Sequence, residues 1–259
     1  MINGKLKHIG GGSLSINRKP AFILFHQGWT DIFNCLALVT YYSAIYKDLT
    51  LIIRKDAFLI AKFYVGNLSV KIDPIDKDKL DNDPINVLPS SKNIVRLYHG
   101  YWDRYRDDQY KDSFSSSTNF FVERFYESYG IPYIARVDQF ALKRNLEQEN
   151  IVYEQFVKEH DKIYSLVHED PQRELSIHFN GLHKNICNLN GASQVFFDWI
   201  KVIENAQEIH LIDSVWSAFI YQLDARYRIF ENIPIYIYSL RGYEEMYQYP
   251  IALSNWKFK

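Results

Sequence analysis

Two places in this chain carry the same constraint on its fold. A short strand-like run, wholly apolar in one case and holding Ile209, Leu211 and Ile212 in the other, leads into a longer stretch whose apolar residues recur at helical spacing. The first is "AFILF" at 21–25, followed by "DIFNCLALVTYYSAIY" at 31–46; the second is "EIHLID" at 208–213, which passes straight into "SVWSAFIYQLDARY" at 214–227. Continuous apolar runs of this length suit strands covered on both faces, as in a parallel sheet, and parallel strands need crossover connections that are usually helices. Around the first pair lie "DLTLIIRK" (strand), "DAFLIAKFYV" (helix), "LSVKID" (strand), an acidic Pro-containing loop over 73–92 and "NIVRLYHG" (strand). "SSTNFFVERFYESYG" has Ser and Thr for a helix cap and Gly130 for its end, and "LEQENIVYEQFVKEH" reads as a further helix. Near residue 161 the pattern restarts with "KIYSLVHED", two short extended segments, the helical "SQVFFDWIKVIENAQ", the second strand-helix pair and "IPIYIYSL". The expectation is an α/β protein of two Rossmann-like domains with a cleft between them. Its parts are a loose arm over 1–20, an N-terminal domain over 21–160 and a C-terminal domain over 161–259. The closing "RGYEEMYQYPIALSNWKFK" is helix-compatible and is expected to pack across the junction.

Composition narrows the partners. A formal net charge of -1 over 259 residues gives no basis for a polyanion-binding surface, so no nucleic acid is expected. The two cysteines, Cys35 and Cys187, sit among apolar neighbours, which suits buried free thiols in a reducing compartment and points to the cytoplasm. No run reaches the roughly 18 to 20 apolar residues of a membrane span.

Ligands of open α/β sheets bind beyond the carboxyl ends of the strands, so the residues there are the candidates. In "FHQGWTD", Gly28 allows a tight turn or a close backbone approach. Asp31 in the following helical turn either complements the helix dipole or faces the cleft as a general base. His26 at the same strand end is a second candidate base or a satisfied structural histidine. In "LVHEDPQRE", His168 and Arg173 have the chemistry to contact a phosphate, and equally that of exposed charges after a strand. In "HLIDSVWSAF", Asp213 and Ser214 open a helix, either as a plain N-cap or as an anion site suited to a diphosphate. In "LYHGYWDRYRDD", His99, Tyr101, Trp102 and Arg104 could line an acceptor pocket or belong to a surface loop. "DKD" at 76–78 lies in the acidic stretch "DPIDKDKLDND" and reads as solvated charge, so no metal ligand set is expected. Walker A, full G-x-G-x-x-G, H-E-x-x-H and G-x-S-x-G motifs are absent, which argues against the enzymes they mark.

"HQGWTDIFNCLALVTYYSAIY" resembles the start of GT-B glycosyltransferases, especially those related to the ADP-heptose transferases, where a Gly-x-x-Asp-type turn carries the catalytic base. Gly28 and Asp31 match that turn. "EIHLIDSVWSAFIYQLDA" is similar to the C-domain segment in which an Asp-Ser or Asp-Thr turn holds the donor diphosphate, with Asp213 and Ser214 at those places. "VHEDPQR" is similar to the phosphate-contacting strand end that opens the C-domain, with His168 and Arg173 as its matches. The chain departs from the family in having Trp29 and Thr30 in the first turn and no glycine after Ser214, and it is short for two full domains. The resemblance implies an inverting glycosyltransferase that uses a nucleotide-sugar donor, needs no metal or other cofactor, and acts on a glycan or related acceptor. A non-catalytic sugar or nucleotide-binding module and a nucleotide-sugar epimerase share the architecture and stand as alternatives.

Overall fold

A computed structural model describes residues 18–25, 28–82, 86–99, 121–178, 185–189, 195–240 and 250–259. The first half builds β1 (Ala21–Phe25), α1 (Trp29–Ser43), β2 (Leu49–Arg54), α2 (Phe58–Val65), β3 (Val70–Ile75), α3 (Lys77–Asn82) and β4 (Val95–His99). Its sheet is parallel, in the order β3-β2-β1-β4. Two helices follow, α4 (Phe121–Glu127) and α5 (Ala135–Asp138), and then α6 (Leu146–Glu159). The second half has β5 (Ser165–His168), β6 (Ile186–Asn188), α7 (Ile200–Glu204), β7 (Glu208–Ile212), α8 (Val215–Tyr227), β8 (Ile235–Tyr238) and β9 (Trp256–Phe258). Its parallel sheet runs β6-β5-β7-β8-β9. The expected pair of Rossmann-like units is therefore present, with β1 and β7 in the interior of their sheets.

The period of two along β1 separates its faces. Ala21, Ile23 and Phe25 join the main core, whereas Leu24 packs with Ile52, Leu80 and Leu88 on the other side of the sheet. α1 is buried without a break from Ile32 to Thr40, and α8 from Trp216 to Ala225. Helices apolar around the whole circumference need cover on every side. Each has its own sheet on one side and the other helix on the opposite side, with Phe33 of α1 5.4 Å from Phe219 of α8 between ring centroids. Phe63 of α2 stacks on Phe197 at 4.5 Å, so one continuous core runs through both units. Arg136 of α5, itself buried, donates to Asn34 Oδ1 of α1 at 2.6 Å and lies 5.0 Å from the Tyr221 ring of α8. It ties α5 to both interface helices.

Three expectations change on this framework. The helix α6, expected from its place in the chain to belong to a first domain ending at 160, packs on the second unit. Phe156 meets Tyr164 at 4.8 Å and Trp199 at 5.9 Å, while Arg144 just ahead of α6 binds both Glu149 and Glu204. The chain passes between units over 139–145, where Tyr64 of one unit accepts from the Ala141 N–H and Tyr227 of the other from the Leu142 N–H. An amphipathic pattern states that a helix has a buried face and leaves open which core it meets. The C-terminal residues end in β9, an edge strand held by Asp224, whose carboxylate accepts from Asn255 Nδ2 at 3.0 Å and Trp256 Nε1 at 2.9 Å. Lastly, β3 continues through Asp73 and Pro74 to Ile75, where a loop is expected from the acidic, Pro-containing sequence. Proline is tolerated there because β3 is a sheet edge. Most of the expected arm over 1–20 lies outside the described residues.

Candidate functional site

Both α1 and α8 start just beyond the carboxyl end of an interior strand, and the two starts are built differently. Gly28 is the N-cap of α1, with φ -65° and ψ 141°, angles open to any residue, and no side chain caps the turn. What glycine supplies is room. A Cβ at Gly28 would stand 2.6 Å from Oδ2 of Asp31, so the Asp31 carboxylate folds back over the N-cap. Asp31 is half-buried, and one turn further along, burial and then its negative charge push the Cys35 thiol well above the usual range. His26 lies outside the described residues.

The α8 start is closed by its own hydroxyls. Ser214 Oγ accepts from the Trp216 N–H at 3.2 Å. Ser217 Oγ accepts from the Ser214 N–H at 3.0 Å and donates to the Ser214 carbonyl at 2.7 Å. This reciprocal capping box satisfies donors that the helix leaves open. Asp213, 2% exposed, accepts from Ser239 Oγ at 3.4 Å, which links the ends of β7 and β8.

A row of side chains joins the two starts. Arg54, the last residue of β2, pairs with Asp56 and sets its guanidinium 5.8 Å from the Trp29 ring at the start of α1. Trp29 lies 6.2 Å from Phe196, Phe196 lies 4.4 Å from Trp216 in the first turn of α8, and Trp216 lies 6.5 Å from His168 at the end of β5. The row thus runs from a strand end of the first unit to a strand end of the second. Along it lie the first turn of α1, which holds Asp31, the first turn of α8, opened by Ser214, and His168 at its end. Here the space between the units is filled with aromatic rings.

Away from the helix starts, the candidates are held by contacts of their own. His168 Nδ1 donates to the Glu169 carbonyl at 2.8 Å. Glu169 is occupied in the fold, since its carboxylate accepts from the Ile177 N–H at 2.6 Å. Arg173 follows in a short 3-10 turn, 64% exposed at its side chain, and donates to Asp170 Oδ2 at 3.0 Å. His99, expected on the wall of an acceptor pocket, is wholly buried. Its Nδ1 donates to the Phe125 carbonyl, its Nε2 faces the Tyr42 hydroxyl at 3.1 Å, and the Tyr129 ring lies 4.4 Å away. Burial lowers its pKa to about 4, so it is a neutral core histidine. Tyr101, Trp102 and Arg104 lie outside the described residues. Asp76 of "DKD" stands at the end of β3 rather than inside a loop, paired with Lys55 at 2.7 Å, and that lysine holds its carboxyl below the usual range.

Arg54 and Phe196 are members of the row that the sequence pattern did not single out. Arg54 carried a usable signal, since it ends an apolar strand as the other candidates do. Phe196 carried none, because nothing local distinguishes it from its buried neighbour Phe197.

No protein-family model and no curated protein sequence matches the chain. Among solved structures, the glycosyl transferase family 9 protein from Veillonella parvula DSM 2008 is 10% identical with a TM-score of 0.51, over 94% of this chain and 86% of that one. The iron-containing dodecameric glycosyltransferase TibC from enterotoxigenic E. coli H10407 is 11% identical with a TM-score of 0.49, over 95% of this chain and 64% of that one. The E. coli heptosyltransferase WaaC with ADP is 12% identical with a TM-score of 0.45, over 92% of both chains. With its two parallel α/β units, the chain has the GT-B fold, the architecture of the Veillonella glycosyltransferase.

Proposed function

We propose that the protein is an inverting, metal-independent glycosyltransferase that moves a sugar from a nucleotide-sugar donor to a glycan or related acceptor. The observation that carries this reading is the row joining the two helix starts, with a carboxylate at one and a capped Asp-Ser turn beside a histidine at the other. The fold shared with a protein named as a glycosyl transferase supports it.

In this reading Asp31 takes the proton of the acceptor hydroxyl, with His26 as the other candidate base, and Gly28 leaves the carboxylate its space. The oxygen attacks the anomeric carbon from the face opposite the leaving nucleotide diphosphate, which inverts that centre. The α8 start, His168 and Arg173 stabilise the departing charge, Arg173 by exchanging Asp170 for phosphate. Asp213 is a positioning residue that holds the turn through Ser239. Arg54 with its Trp29 partner is assigned to the acceptor side, and Tyr101, Trp102 and Arg104, which lie outside the described residues, remain proposed acceptor contacts. A cytoplasmic location would give access to nucleotide sugars. Among the described residues no helix is long and apolar enough to cross a membrane.

A thermal-shift series with UDP, GDP, ADP and CMP is the first test, since a ligand specific for the native state at a hundred times its Kd adds about 2.7 kcal/mol of stability. The matching sugar nucleotide is then assayed for turnover with and without acceptor sugars, in excess EDTA. Acceptor-dependent turnover that survives EDTA is expected. Loss of turnover restored by Mn²⁺ or Mg²⁺ would overturn metal independence, conversion of the donor sugar without acceptor would indicate an epimerase, and binding without turnover a binding module.

A further inference from the structure

We infer that two copies of this chain pair through a groove at the amino ends of β5 and β6, with a two-fold axis setting the same surface of each copy against the other. The groove, of about 480 Å³, is lined by residues 157–161 at the close of α6 and by Asn185, Ile186 and Cys187 at the start of β6. Two isoleucines stand exposed at its rim, Ile186 at 43% and Ile163 at 61%. They are neighbours, because Ile186 pairs with Ser165 in the sheet and Asn185 Nδ2 donates to the Ile163 carbonyl at 2.9 Å. Single exposed apolar residues are ordinary, but two together beside a groove suit a protein contact.

Charge identifies the occupant. Lys158, Glu159, His160, Asp161 and Lys162 form one exposed run, "KEHDK", in which acidic residues lie between basic ones. A partner surface of a single sign would be repelled by half of this run, whereas a second copy brings lysines for the acidic pair and receives lysines for its own. The run is also held in place before any partner arrives, since the His160 N–H donates to the Phe156 carbonyl at 2.9 Å and its ring lies 4.6 Å from the Phe156 ring. The groove sits at the amino ends of the strands, whereas His168 and the helix starts lie at the carboxyl ends. The inference is therefore independent of the functional reading, and either can fail alone.

The test is sedimentation equilibrium of the full chain over about 1 to 100 µM, where a monomer–dimer equilibrium is expected. Every substituted side chain is exposed, and circular dichroism shows that each variant is folded. The double variant Ile163→Ser/Ile186→Ser is expected to raise the dimer Kd by about tenfold or more, because both copies lose apolar contact. Lys158→Glu/Lys162→Glu makes the run wholly acidic and Glu159→Lys/Asp161→Lys makes it wholly basic apart from His160. Each is expected to be monomeric alone, and the two to form a one-to-one dimer when mixed, which a merely structural role for these charges would not produce. A wild-type chain that stays monomeric throughout the range would overturn the interface. So would an unchanged Kd in the isoleucine variant, charge variants that dimerise alone, or a mixture of them that fails to pair.

Discussion

The starts of α1 and α8 occupy equivalent places in two similar units, yet they spend their polar groups differently. At α8 the serine pair Ser214 and Ser217 satisfies the helix end from within, and the adjoining Asp213 is buried against Ser239. At α1 the cap is a glycine with no side chain to offer, and the nearby carboxylate of Asp31 stays half-buried where that glycine leaves room. A helix end that caps itself gains stability from residues that are then committed. At α1 the helix end has no side-chain cap, and glycine gives the nearby carboxylate its room. In the proposed reading the α1 start carries the reacting group and the α8 start is the platform beside it.

The sharpest attack on that contrast is Asp31→Asn, which keeps size and helix-start polarity but removes the proton acceptor. A fall in kcat of roughly 10²- to 10⁴-fold with unchanged donor affinity is expected, measured as turnover beside calorimetric binding. Near wild-type turnover with a loss of about 0.3–1 kcal/mol in stability would reduce Asp31 to a partner of the helix dipole.

A second test separates chemistry from scaffold within the first unit. His99 also ends a strand there, but its folded-state pKa of about 4 lies below the ordinary 6.5 because burial disfavours its charged form. The unfolded chain therefore binds more protons between these values, and stability falls as pH drops from about 6.5 to about 4, by about 3 kcal/mol in total. Above that window this residue contributes no slope, and below it both states are protonated. Urea unfolding of wild type and His99→Phe across this range should show a steeper loss of stability in the wild type, the difference between the two being the contribution of His99. A histidine titrating near its usual value by NMR would mean that this strand end is open to solvent.

The smallest effect is expected at the platform. Ser214→Ala removes the acceptor for the Trp216 N–H and should cost about 1 kcal/mol, read as a Tm lower by about 2–4 °C. If nucleotide affinity also falls tenfold, the hydroxyl serves a ligand as well as the cap, and the contrast between the two starts narrows.

Much of this arrangement was legible along the chain. "AFILF" and "EIHLID" announced buried strands, and the apolar residues at helical spacing after them announced α1 and α8; that both helices are covered all round was not legible. Gly28, Asp31 and Ser214 stood out because each lies just beyond the carboxyl end of an apolar strand. His99 met the same criterion and proved to be core, since position after a strand says nothing about the tyrosines that wrap the ring. The assignment of α6 was hidden for a related reason, because its partners Tyr164, Trp199 and Glu204 lie in the other half of the sequence.

By itself, then, the sequence determined the parallel α/β character of both units, the places of β1, α1, β7 and α8 along the chain, and the serine that caps α8. These stem from side-chain periodicity and from hydrogen bonds spanning three or four residues. The tertiary structure decided that β9 closes one sheet edge, that α1 and α8 share a core, and that Arg54, Phe196 and His168 fall into one row between the units. These depend on contacts between residues tens to more than a hundred positions apart, whose pairing is selected by how whole surfaces pack and leaves no local pattern to read.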